Sequence, residues 1–370
     1  MMVTIRRLTY IMTTGVALMF TSCDVHEFPQ EITPRPVIDR TLTLTFEADE
    51  FDHLTTVEIG NDGRGRAEND GMMTRHIVRA YRHEPTGASG SRVTSRSVID
   101  YYEGTENHDS DHPDVTLPLE LEPGEYDILA WSEHVPSYSY AGGDYFYNTR
   151  DFYELTLNGI ESEGYIHHGN NHMRAAWRGL THITIDRDGK VHTDDPSADI
   201  ENVIIAMNRP MARFHFITTD LQEFNSRVTG KGEPVTTSGL GMPQAPRPDD
   251  YRVVVKYTGY MPSAYNLLSD KPIDSTTGIS FNGEISPIDE STAQLAYDYV
   301  LVNGSSTSVQ VALELYRHSD GTLVSSTGVI DVPLKRGCYT VIKGPLLTTT
   351  AGTGIGINPG FNGDYNIEIH

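Results

Sequence analysis

Thr41-Leu42-Thr43-Leu44-Thr45-Phe46 alternates polar and apolar side chains without a break. A period of two puts Leu42, Leu44 and Phe46 on one face of an extended chain, whereas a helix would scatter them round its axis. The stretch is therefore predicted to be a half-buried strand. Working outward, comparable segments follow at His76–Tyr81, Arg92–Tyr101, Val115–Leu121, Tyr126–Trp131, Phe152–Leu157, Met173–Trp177, Gly179–Ile185 and Val203–Met207. Leu121-Glu122-Pro123-Gly124-Glu125-Tyr126 is predicted to close a hairpin, Pro supplying a fixed φ and Gly a positive one. Asp186-Arg187-Asp188-Gly189-Lys190 is predicted to be another turn, and residues 133–150, with four tyrosines, a long aromatic loop.

A second block opens with the strand Met211–Ile217. Asp220-Leu221-Gln222-Glu223 has the spacing of a capping box and predicts the one short helix. Strands are then expected at Tyr251–Tyr257, Gly278–Ile285, Gln294–Val302, Ser308–Tyr316, Gly328–Val332 and Tyr339–Leu347. Behind a Gly/Asn-rich linker, Tyr365-Asn366-Ile367-Glu368-Ile369 alternates once more. The 20 tyrosines, 33 glycines and 20 prolines suit strands and tight turns. The expectation is an all-β chain of two sandwiches in tandem, residues 41–209 and 210–370.

Upstream of the first strand, Arg6 and Arg7 precede an apolar run from Ile11 to Phe20. That is the layout of a secretory signal, residues 1–22, and the run is about half of the ~20 residues a spanning helix needs. Thr21-Ser22-Cys23 resembles a bacterial lipobox, in which Cys23 is lipidated and becomes the mature N-terminus. Asp24 and Glu27 resemble the acidic signal that sends Bacteroidetes lipoproteins to the cell surface. The other reading is an ordinary signal peptide with an incidental cysteine. Residues 23–40, with Pro29, Pro34 and Pro36, read as a semi-rigid tether. It would reach up to about 60 Å at ~3.3 Å per residue.

The whole chain carries a formal charge of −23, and losing Arg6 and Arg7 with the signal would leave 26 basic against 51 acidic side chains. Such a surface repels a phosphate backbone, so nucleic acid is excluded as a partner. It offers no polybasic attraction to anionic lipid either, which leaves acyl chains on Cys23 as the attachment to an outer membrane. With Cys23 so used, Cys338 has no disulfide partner and reads as a small buried residue.

Chemistry-bearing motifs are sparse. His167-His168-Gly169-Asn170-Asn171-His172 is the best metal candidate, with Glu161 and Glu163 nearby, but Gly-Asn-Asn denies the helix that would align its imidazoles. The acidic run Glu106–His112 suits a solvated loop better than a calcium site, and the twelfth residue from Asp186 is Ser197 rather than Glu. Neither a Gly-x-Ser-x-Gly nor a His-Glu-x-x-His occurs, and Gly352-Thr353-Gly354-Ile355-Gly356 lacks the spacing of a dinucleotide loop. No catalytic residue, metal or cofactor is expected. Trp131 and Trp177 could stack on a sugar, though a hairpin Trp is more often core.

Several stretches together resemble the fimbrillin-superfamily lipoproteins of Bacteroidales, especially the anchor subunits of type V pili. They are Ser22–Pro29, Leu121–Tyr126 with Trp131, Met211–Phe214, Tyr251–Asn266 and Val332–Thr340 running on to Thr348. One departure is Cys338, where an Asn would be expected. The resemblance implies two transthyretin-like Greek-key sandwiches and pilin partners bonded by strand addition. It also implies, in stalk subunits, proteolysis after an arginine that removes the first strand. Arg40 stands before Thr41–Phe46, so a cut there would leave that strand in place, as suits an uncleaved anchor. Tyr365, Ile367 and Ile369 would form a closing or a donor strand. The alternative is a carbohydrate-binding or adhesive surface lipoprotein using Trp131, Trp177 or the Tyr138–Tyr147 loop.

Mass spectrometry of the mature protein is expected to find a diacylated or triacylated Cys23 at the N-terminus. Cys23→Ala is expected to move the protein from the membrane fraction to the medium; retention at the wild-type level would exclude lipid as the attachment.

Overall fold

The computed structural model describes residues 38–46, 72–86, 90–103, 114–136, 144–158, 167–193, 199–230, 236–237, 243–244, 250–349 and 365–368. Cys23, the tether as far as residue 37, Glu161, Glu163, the Glu106–His112 run, Tyr138, Tyr140, the Gly352–Gly356 stretch and Ile369 lie outside them; residues 38–40, expected in the tether, already belong to the first strand. The chain is all-β, with one α-helix, Leu221–Gly230, among the described residues. No described helix is long and apolar enough to cross a membrane.

The opening strand runs from Ile38 to Phe46 and is the middle of a three-stranded sheet. Asn202–Met207 lies parallel on one side and Val115–Leu121 antiparallel on the other. Their registers bring Leu42 opposite both Val203 and Leu117, and Leu44 opposite both Ile205 and Val115. All six are buried, while Ile204 on the other face is 58% exposed. The alternation seen in the sequence is thus a one-faced sheet.

That face stacks on a five-stranded antiparallel sheet, in the order Gly90–Glu103, Met72–Thr86, Gly124–Pro136, Ala176–Ile185, Val191–His192. Phe46 meets the rings of His76 and Trp177 at 5.8 Å, and Gly179 lies against Ile205 and Met207. Three features of this half correct the sequence reading. Met173–Trp177 is no strand of its own: His172–Arg174 is a 3₁₀ turn, and Ala176 and Trp177 begin the strand that runs to Ile185. Leu121–Tyr126 is no hairpin, because Val115–Leu121 and Gly124–Pro136 belong to different sheets. It is a corner, held by the Tyr126 hydroxyl donating to the Glu122 carbonyl at 2.9 Å and Arg82 donating to the Pro123 carbonyl at 2.8 Å. This is the device of a tyrosine corner. Residues 133–136 continue their strand instead of opening a loop, and Tyr147-Asn148 pairs with Leu155–Leu157.

In the second half, Met211–Thr218 runs antiparallel to Ala293–Leu301 and parallel to Tyr339–Gly344. Facing it is an antiparallel sheet of Ser280–Gly283, Tyr251–Tyr257, Ser306–Arg317 and Leu323–Ser326, with Ile330–Lys335 also paired to Ser306–Val311. The helix lays Leu221, Phe224 and Val228 on the core, Phe224 packing edge-on to Tyr251 at 5.0 Å. The Asp220 side chain does not act as the predicted cap. Its carboxylate accepts instead from the Thr348 amide and hydroxyl, both at 2.7 Å, fastening residues 346–348 across the helix start.

Strands from both sides of residues 209/210 share one sheet, in the order Lys271–Thr276, Met261–Asn266, Leu155–Leu157, Tyr147-Asn148. The buried apolar side chains of the two halves form one continuous core.

Close approach of layers makes a test. A Cβ on Gly283 would lie 2.1 Å from the Leu295 carbonyl oxygen, whereas one on Gly179 would meet side-chain atoms of Ile205 and Met207 first and the Ala206 carbonyl oxygen only at 3.1 Å. Gly179→Ala is expected to cost about 1–3 kcal/mol, and Gly283→Ala more, because backbone cannot swing aside. Urea denaturation midpoints would give the ranking.

Candidate functional site

The sheet built on Met211–Thr218 has two contrasting edges. On one, Tyr339–Gly344 buries Thr340 and Ile342 and presents its outer backbone to a four-residue strand, Tyr365–Glu368. The pairing is parallel, Thr340 opposite Tyr365, Val341 opposite Asn366, Ile342 opposite Ile367 and Lys343 opposite Glu368. Tyr365 and Ile367, expected as closing or donor residues, thus take the closing position on the chain's own sheet. A four-residue edge strand makes few hydrogen bonds and opens at low cost.

The opposite edge, Ala293–Leu301, is blocked. Ser286-Pro287 pairs only with Ala293 and Gln294. Beyond it the Asn170 amide donates to the Tyr297 carbonyl at 2.8 Å, and the Tyr297 amide to the Asn170 side chain at 3.2 Å. Asn170 adopts φ 59 to do so, a left-handed conformation that Asn tolerates better than most residues. Such plugs keep an edge from pairing with another chain.

The loop carrying Asn170 is anchored from below. Arg174 donates to Asp298, whose carboxylate also bonds His167 at 2.8 Å and accepts from the Tyr257 hydroxyl at 2.6 Å. Asp298 is fully buried. Burial by itself would raise its pKa, but Arg174, His167 and Tyr257 outweigh that and hold it below the usual carboxylate range. Burial, with Arg174 alongside, lowers the His167 imidazole and keeps it neutral. A second buried pair, Arg75 and Glu133, is joined by Asp144 at 2.9 Å from Arg75, and burial pushes the Glu133 carboxyl up to about 7.

The histidine stretch is therefore structural. His167 serves Asp298, His168 stacks on Tyr145 at 5.6 Å, and His172 opens the 3₁₀ turn His172–Arg174. Their rings do not share a centre. Among the described residues it is His83, Asp127 and His182 whose ligand-capable atoms converge, within 4.8 Å of one another. They sit on three strands and form no sequence motif.

Trp131 and Trp177, carried as sugar-stacking candidates, are core residues. Trp131 is 0% and Trp177 2% exposed. Trp131 packs edge-on to Tyr147 at 5.2 Å, and Arg209 covers the face of Trp177 at 4.3 Å. Neither offers a face to a glycan. Cys338 is buried, as expected of a small core residue, and forms no disulfide among the described residues.

Arg40, the candidate processing point, lies inside the first strand opposite Leu119. Its guanidinium donates to the Gly189 carbonyl at 3.1 Å and stands 3.6 Å from Asp199.

Asp298→Asn is expected to destabilise the fold by about 3–5 kcal/mol by leaving Arg174 buried without its counter-charge. The lowered His167 pKa has a sign that can be read as well. Below its ordinary value near ~6.5 the unfolded chain takes up a proton that the folded protein refuses, so His167 contributes instability as pH falls. Denaturation midpoints for His167→Gln are expected to fall less than wild type between about pH 7 and about pH 5.

Residues 35–370 match the model of a family described as "Family of unknown function (DUF6562)". No curated protein matches the chain. Among solved structures, it is similar to the fimbrial anchor protein Mfa2 from Porphyromonas gingivalis, with 13% identity, 78% of this chain and 82% of that chain covered, and a TM-score of 0.34. It is also similar to a candidate adhesin from Bacteroides ovatus, with 11% identity, 85% and 88% coverage and a TM-score of 0.38. A third is a candidate polysaccharide-binding protein from Bacteroides thetaiotaomicron, with 13% identity, 78% and 79% coverage and a TM-score of 0.37. At such identities and TM-scores the likeness carries no functional inference.

Proposed function

The chain belongs to the DUF6562 family, described as of unknown function, and we propose that it is a surface lipoprotein of structural rather than catalytic role, an anchor or accessory subunit of a fimbria. Cys23 holds it to the outer membrane through lipid, residues 23–37 span the gap, and the first strand, from Ile38, opens two sandwich units, divided at 209/210, that move as one body. The observation that carries this reading is the position of Ile38–Phe46. Directly behind the tether, the first strand is bonded on both sides and buries Leu42 and Leu44. Force applied along the tether would shear two ladders of hydrogen bonds together instead of peeling one edge.

A subunit that must lose its first strand to polymerise needs that strand removable. Here its removal would split the three-stranded sheet, and Arg40 is held within the paired segment. Both facts support a subunit that keeps its first strand and terminates a polymer. The other end supplies the joint. Residues 365–368 occupy an edge whose main-chain groups would pair equally with a strand from a pilin, or could themselves leave to complete a neighbour.

Deleting residues 364–370 is expected to abolish co-purification of pilin subunits with the affinity-tagged protein from cell envelopes, leaving membrane attachment intact. Unchanged complexes would rule out strand exchange at this edge. Limited digestion of the folded protein with an arginine-specific protease is expected to spare Arg40, while exposed arginines are cut. Rapid cleavage there would remove the case for a retained first strand.

A further inference from the structure

Far from the closing strand, the five-stranded sheet gathers two imidazoles and two carboxylates on one face. His83 lies on Met72–Thr86, Glu125 and Asp127 on Gly124–Pro136, and His182 on Ala176–Ile185. The register explains the gathering. His83 is directly opposite Glu125, and Asp127 is directly opposite His182. Alternation along a strand then puts Glu125 and Asp127 on the same face, so all four side chains point to one patch. The ladder between Met72–Thr86 and Gly90–Glu103 slips by one residue at Arg82/His83, an irregularity of the kind that re-aims a side chain beside a site.

The side chains are directed at one another. Asp127 uses one oxygen for each ring, Oδ2 at 2.7 Å from His83 Nε2 and Oδ1 at 2.9 Å from His182 Nδ1. The rings stand at 85° with centroids 5.5 Å apart. Each histidine turns its second nitrogen toward Glu125, which is 3.4 Å from His182 Nε2 and 3.9 Å from His83 Nδ1. A carboxylate behind each metal-binding imidazole is the usual outer shell, fixing the tautomer and the ring orientation. The Asp127 side chain is 14% exposed and that of His83 18%, whereas His182 is 43% exposed, so an ion could reach the cluster from solvent.

We propose that His83, Asp127 and His182 form a binding site for a divalent transition-metal ion of the zinc type, with Glu125 orienting both imidazoles from the outer shell. Two nitrogen donors and one carboxylate suit zinc, copper or nickel and not calcium or magnesium, which require oxygen. Donors around zinc stand about 3.3 Å apart for bonds of ~2.0–2.1 Å. The carboxylate–imidazole separations therefore need to open by only about half an ångström, within side-chain rotation on a fixed sheet. Three protein donors leave a fourth position for water or a partner's side chain. The chain's net charge of −23 favours cation approach. The bound ion would staple three adjacent strands, and its effect would be read as stability.

The test is titration of detergent-solubilised, full-length protein, freed of metal by chelation, with zinc followed by calorimetry and with cobalt(II) followed by its visible bands. One equivalent of zinc is expected to bind near neutral pH with a rise in melting temperature, and cobalt to give a spectrum with nitrogen ligation. His182→Gln, at a half-exposed position that leaves folding intact, and His83→Gln are each expected to weaken binding by more than about 100-fold, and Glu125→Gln by about tenfold. His192→Ala, a histidine paired with Asp186 at 3.3 Å and outside the cluster, is expected to bind as wild type does. Calcium and magnesium are expected not to compete. Absence of zinc binding to wild type, or equal binding by wild type and His182→Gln with matching circular dichroism, would overturn the proposal.

Discussion

The buried carboxylate of Asp298 is the interaction on which the rest of the structure depends. An isolated carboxylate at 0% exposure would be several kcal/mol too costly to keep ionised. It is kept by donors from both halves of the chain, Arg174 and His167 from before residue 209 and Tyr257 from after it. Any sliding of the halves would strand Arg174 or Asp298 without its partner. The four-stranded sheet that joins Leu155–Leu157 to Met261–Asn266 runs alongside, and Arg178 adds to it by donating from Nε to the Leu267 carbonyl at 2.8 Å. With no disulfide among the described residues, the junction gains its rigidity from one satisfied ionic cluster and one shared sheet.

That rigidity gives the edges their meaning. Exposed sheet edges invite pairing with other chains, and two of those seen here are blunted. Asn170 and Pro287 obstruct Ala293–Leu301, and the outer strand Lys271–Thr276 carries Lys271 and Pro272. The edge covered by Tyr365–Glu368 is different in kind, since it is closed by backbone pairing of a short terminal strand. At the other end of the chain, Ile38–Phe46 is locked between two neighbours. Tyr365–Glu368 is thus bonded on one side and Ile38–Phe46 on both, and the proposed anchor role rests on that asymmetry.

Much of the fold was legible in the residues. Thr41–Phe46, Val115–Leu121 and Val203–Met207 alternate because one of their faces is buried, and the structure buries that face. The short helix behind Asp220 was legible too, although Asp220 itself is taken up by Thr348. Pro123-Gly124 looked like a hairpin turn because local chemistry reports a change of direction and not the sheet in which the next strand will pair. The four tyrosines of residues 133–150 looked like a loop. Of the two that the structure describes, Tyr147 is buried and pairs with Leu157, a partner that its own neighbours in sequence do not announce.

The sites were less legible, for the same reason. His167–His172 drew attention as three imidazoles close in sequence, yet proximity along a chain says little about where rings point. His83, Asp127 and His182 drew none, being separated by 44 and 55 residues. The sequence by itself determined what is periodic or local: the all-β class, most of the described strand positions and the excess of acidic side chains. Only the tertiary structure decided which strands pair, that the two halves share a sheet, that both tryptophans are core, and that Arg174 meets Asp298 across 124 residues of chain. The physical reason is that alternation is set by the solvent on one side of a strand, whereas register and charge pairing are set by partners that the strand meets only when the chain is folded.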